Sequence, residues 1–150
     1  MHLNRRSQAI IAIQIGGSAI AVITLLTVFP SLNAGGVAWL LYSILFAIPV
    51  IGFVSGLLYW AGKAAGFYGS VATHALQIPV FLTTVLAYKL AFGIGVFLKI
   101  IGPIKLVELK LGASTILVVL PEQQGAVVAV NLYALFALMY LIRDRKRADA

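Results

Sequence analysis

From Ile10 to Phe29 the chain carries no charged residue, and its polar side chains there are only Gln14, Ser18, Thr24 and Thr27. A bilayer core of about 30 Å needs around 20 apolar residues rising about 1.5 Å each, so this stretch alone is long enough to cross one. Arg5 and Arg6 precede it and no small-residue cleavage pattern interrupts it, so it reads as a retained first helix rather than a signal peptide. Pro30 ends the run, and Ser31 to Gly36 has the composition of a turn without charge. A loop that short implies an antiparallel partner.

The partner is Val37 to Trp60, with Trp39 and Tyr42 near one end and Tyr59 and Trp60 at the other, in the positions of interfacial aromatic belts. After a small glycine-rich connection, Ala61 to Gly69 with Lys63 in it, a third apolar stretch runs from about Ser70 to Phe97. Lys89 falls inside it, about 28 Å along a helix axis from Ser70, near enough to the far interface for its side chain to snorkel. A fourth stretch, Gly125 to Ile142, is closed by Arg143, Asp144, Arg145, Lys146 and Arg147.

Residues 98–124 hold Lys99, Lys105, Glu108, Lys110 and Glu122, too much charge for a span. Ile104 to Leu111 mixes apolar and charged positions at near-alternate spacing. Gly112, Ala113 and Ser114 have a turn composition, and Thr115 to Leu120 is β-branched before Pro121, so the pattern predicts a β-hairpin outside the membrane. An amphipathic helix lying in the interface is the alternative, since Ile101, Ile104, Val107 and Leu111 also fit helical spacing. The fold expected is a single-domain all-α integral membrane protein. It has four transmembrane helices, at about 10–29, 37–60, 70–97 and 125–142, and a small extracytoplasmic hairpin or interfacial helix between the third and fourth.

Composition agrees with a bilayer setting: 62% of residues are hydrophobic and 10% charged, against roughly 45–50% and about 25% in soluble domains. The net charge of +7 sits largely at the ends, where Arg5, Arg6, Arg143, Arg145, Lys146 and Arg147 account for six of the eleven basic residues. That is membrane-flanking charge, not a nucleic-acid patch. With four spans these six and Lys63 fall on one side, against Lys89, Lys99, Lys105 and Lys110 on the other. The positive-inside tendency then puts both termini in the cytoplasm of a bacterial type of cell, with the chain a multi-pass protein of the inner membrane.

The candidate polar intramembrane residues are Gln14, His74, Gln77, Lys89 and Asn131. His74 and Gln77 stand one helical turn apart beside Thr73, and polar groups inside a membrane mark functional sites or bonds between helices. The helix-packing positions are Gly52 and Gly56, a GxxxG pair, and Gly16 and Gly17, which form small pairs with Ala12 and Ala21. Pro49 and Pro79 are the expected kinks. No catalytic constellation, metal cluster or cofactor motif is recognisable. The absence of cysteine removes disulfides, thiolate sites and thiol nucleophiles. The function expected is therefore non-enzymatic: an accessory or interaction subunit of a membrane complex, meeting the bilayer and a protein partner or further copies through its helix faces and residues 98–124. The alternative is a small oligomeric transporter or flippase-like carrier, with the five polar residues along its path.

Overall fold

The structure is a computed structural model that describes residues 4–28, 36–82, 86–101, 104–119 and 127–148. The chain runs α1 (Arg5–Val28), α2 (Gly36–Trp60), α3 (Ala64–Gln77), β1 (Pro79–Leu82), β2 (Leu86–Ile101), β3 (Ile104–Val119), β4 (Val127–Asn131) and α4 (Leu132–Ala148). Four helices and a four-stranded antiparallel sheet replace the expected four-span all-α bundle. Among the described residues only two helices are long and apolar enough to cross a bilayer, over Arg5–Thr27 and Tyr42–Trp60. They suggest membrane association.

The expected third span fails at Pro79. Proline lacks the N–H that would continue the helix and its ring crowds the carbonyl of Ala75. The helix accordingly ends at Gln77 with a tightened last turn, Ile78 N–H to the Ala75 carbonyl at 3.2 Å. Pro79 is thus the first residue of a strand, not a kink within a helix. Beyond it the β-branched and aromatic residues of 79–82 and 86–101 form β1 and β2. The expected fourth span divides likewise: Val127, Val128 and Val130 belong to β4, and only from Leu132 does the chain turn helical. The run Arg143 to Arg147 lies within α4 rather than beyond it. Pro49, by contrast, is buried inside an α2 that continues through it.

The hairpin is longer than the one expected and lies elsewhere. β2 and β3 pair over sixteen residues each, from Leu86↔Val119 to Ile101↔Ile104. Gly112, Ala113 and Ser114 lie inside β3, and the reversal falls between Ile101 and Ile104. Residues 120–126 lie outside the described residues.

The sheet rolls up because β2 changes partners along one edge. Its first half pairs with β1, its second half with β4, and β1 pairs with β4. Gly93 makes the bend, with φ +87°, a conformation that glycine adopts without the Cβ penalty of other residues, and Gly112 is its cross-strand partner. Inside the roll Val80, Ala91, Phe97 and Ala129 form a core. On the other face of β2, Leu90 and Phe92 pack with Ala21 of α1, and Ile48 of α2 adjoins.

Gly17, at the middle of α1, abuts the backbone of Phe92 and Gly93, where a Cβ would collide with it. The bend of the ribbon is therefore held beside mid-α1. At the opposite end from the sheet, Ile10, Ile11, Tyr59, Phe67, Ala137 and Leu141 form a second core. There the start of α1, the end of α2, the start of α3 and the end of α4 meet. α2 closes with Gly62 at φ 75°, Gly62 N–H to Tyr59 O and Lys63 N–H to Leu58 O, both at 2.9 Å, a Schellman ending that turns the chain back into α3.

Candidate functional site

Small and polar residues let α1, α2 and α3 approach closely. A Cβ added to Gly52 would meet Ser18 Oγ at 2.8 Å and Thr73 Cγ2 at 3.0 Å, and one added to Gly56 would meet Ile15. The Gly52 and Gly56 pair thus works as a packing surface. Of the other pair, Gly17 faces the strand β2 rather than a helix, and Gly16 faces open space, where an added Cβ would have nothing within 4 Å. Gly16 therefore packs on nothing among the described residues of this chain.

Between these helices lies a layer of buried polar side chains. Gln14, Ser18, Ser70, Thr73, His74, Gln77 and Asn131 are each 1% exposed or less. Of the five residues singled out in the sequence, four belong to this layer. Gln14 Nε2 donates to the Gly52 carbonyl at 2.7 Å, tying α1 to α2. Gln77 Nε2 donates to Thr73 O at 3.2 Å, and its Oε1 accepts from the Phe92 N–H at 2.9 Å. Asn131 Oδ1 accepts from Val96 N–H and from Ala134 N–H, each at 3.3 Å. The Ala134 bond makes Asn131 the N-cap of α4.

Two of these amides have a common task. Along the edge of β2 that β1 and β4 share, β1 reaches Ala87 and Tyr88, while β4 begins at Phe97. The bend between them lies outside both ladders. Gln77 and Asn131 supply acceptors to Phe92 and Val96 in that interval, so buried N–H groups that no strand reaches are still paired. His74 is the exception: its ring lies edge-on to Tyr133 at 6.4 Å between centroids, and neither ring nitrogen has a protein partner.

Lys89 stands apart from this layer. It points into the roll, 5% exposed, with Nζ 4.6 Å from the centre of the Phe97 ring and 3.8 Å from Glu108 Oε1. Glu108 also pairs with Lys99 and, at 3.1 Å, with Lys110. Three ammonium groups on one carboxylate form a site that sequence reasoning missed. Its signal was the Gly102-Pro103 dipeptide, since a reversal there brings Phe97 opposite Glu108 and gathers the charges on one face.

The outer face of the same ribbon segment is apolar. Val107, Leu109 and Leu111 are 70%, 66% and 77% exposed, while Glu108 between them is directed inward at 26%. β3 pairs with β2 alone, so its other edge is open among the described residues. Among those residues no group of three or more His, Cys, Asp or Glu could hold a metal ion. Comparison of the chain with protein families, with curated proteins and with solved structures finds no match in any of the three.

Proposed function

We propose that this chain is a membrane-embedded, non-enzymatic subunit that works by contact, through the open edge and apolar outer face of β3. The observation that carries the reading is the row Val107, Leu109 and Leu111, exposed to this degree on a strand with an unpaired edge. A strand of that kind is a template for another strand, and soluble proteins blunt such edges with charge, proline or short length. Here Glu108 is directed inward and its apolar neighbours outward, the alternation of a sheet whose surroundings are lipid or protein.

In this reading α1 and α2 cross the inner membrane, and α3, α4 and the sheet pack against them. Asn4 Nδ2 and Ser7 Oγ each donate to Asp144 at 2.5 Å, which pins the start of α1 to the end of α4 and favours both ends on one side. The basic flanks assign that side to the cytoplasm. The carrier reading draws less support, because Gln14, Gln77 and Asn131 are engaged in bonds to the backbone. The test is the triple replacement Val107→Thr, Leu109→Thr and Leu111→Thr, which keeps strand propensity and removes the apolar row. In mild detergent the unaltered chain is expected in an assembly heavier than 16.0 kDa, and the variant as a single chain with its sheet signal intact. An unaltered chain that is already a lone 16.0 kDa particle in both detergent and membrane would sink the reading.

A further inference from the structure

We infer that the partner on the open edge of β3 is a second copy of this chain, joined by antiparallel β3–β3 pairing about a two-fold axis at Leu109. This rests on the contact reading above and names its partner.

The depth of the strand calls for a partner. The ribbon bends at Gly93, beside Gly17 at the middle of α1, and Gly112 of β3 is the cross-strand partner of Gly93. In the membrane-embedded reading a strand that leads away from this bend has little water for its free N–H and C=O groups, and such groups are costly to leave unpaired in hydrocarbon. The edge must be closed by another strand. β1 and β4 are already committed to β2 and to each other, so among the described residues the closing strand comes from another molecule.

The edge is also complementary to itself, as a two-fold interface requires. With Leu109 opposite its own copy, antiparallel register sets Val107 opposite the partner's Leu111 and Glu108 opposite the partner's Lys110, each relation occurring twice. Apolar side chains meet on the outer face, and opposite charges meet on the inner one. Directly opposed pairs of both kinds stabilise antiparallel strands, and like charges opposed would not. A register shifted by one residue would set an apolar side chain against a charged one.

The experiment uses the natural absence of cysteine. Leu109→Cys in the full chain, oxidised in native membranes, is expected to shift from 16.0 kDa to twice that mass. Lys63→Cys, exposed at the opposite end of the molecule, is expected to stay single. Joining Glu108→Lys alone to Leu109→Cys places lysine opposite lysine and should abolish the shifted band. Adding Lys110→Glu to that variant restores opposite charges and should restore the band. A Leu109→Cys chain that remains single in an assembly containing other proteins overturns the second-copy partner and leaves the contact reading intact. A chain that is single with no assembly of any kind overturns both.

Discussion

Gln77 and Gln14 are both fully buried amides, yet their replacement should differ in cost. Gln77→Met leaves the Phe92 N–H buried without an acceptor, which costs about 1–3 kcal/mol. Gln14→Met removes one donor from a carbonyl of α2 and, with it, a side-chain oxygen that has no protein partner. Thermal unfolding in detergent should rank the Gln77 variant clearly below the Gln14 variant. The same ranking applies to neighbouring glycines: Gly17→Ala drives a methyl into the backbone of β2, whereas Gly16→Ala meets nothing and gains helix propensity. Equal stability of the two alanine variants would contradict the packing of α1 on the ribbon. Gln77 and Asn131 were recognisable from sequence as buried polar residues. That they serve the backbone of a strand was not, because the need arises only once β2 bends between its two partners.

Among the elements, the β2–β3 ribbon gathers the ammonium groups of Lys89, Lys99 and Lys110 on Glu108, so Glu108→Gln, which takes the carboxylate from all three, should lower the melting temperature in detergent. Hydropathy could not separate this ribbon from a helix, since a continuous apolar run from Ser70 to Phe97 satisfies both. The discriminating signals were Pro79, which stops the helix, and the glycines Gly93 and Gly95. A lone lysine at Lys89 was equally consistent with snorkelling until the cross-strand register placed Phe97 and Glu108 beside one another. The first two helices were legible to within a few residues, because nothing in Ile10 to Phe29 or Val37 to Trp60 competes with a helical reading.

The assembled chain has two long apolar helices, with two short ones clamped at one end and a rolled sheet at the other. The short helices, α3 and α4, meet the sheet at Gln77 and Asn131, the two residues that also complete the hydrogen bonding of its bend. Separation of the ends should therefore be felt far away. Asp144→Ala removes the acceptor for Asn4 and Ser7 and frees the end of α4. Faster hydrogen exchange is expected in 132–148 and in β4, with less change in α2, most of whose contacts are with α1 and α3.

The proposed contact function depends on 104–111 being a strand with Glu108 inward and its apolar face toward lipid or protein. Single nitroxide labels at each position from Leu106 to Leu111 in native membranes, read by collision with oxygen and with a water-soluble nickel complex, would decide this. Alternation with period two is expected, with Val107, Leu109 and Leu111 accessible to oxygen and shielded from nickel, and Glu108 and Lys110 out of phase with them. Nickel accessibility at every position would put the segment in water outside the membrane, and a period near 3.6 would make it an interfacial helix; either result would contradict an embedded strand.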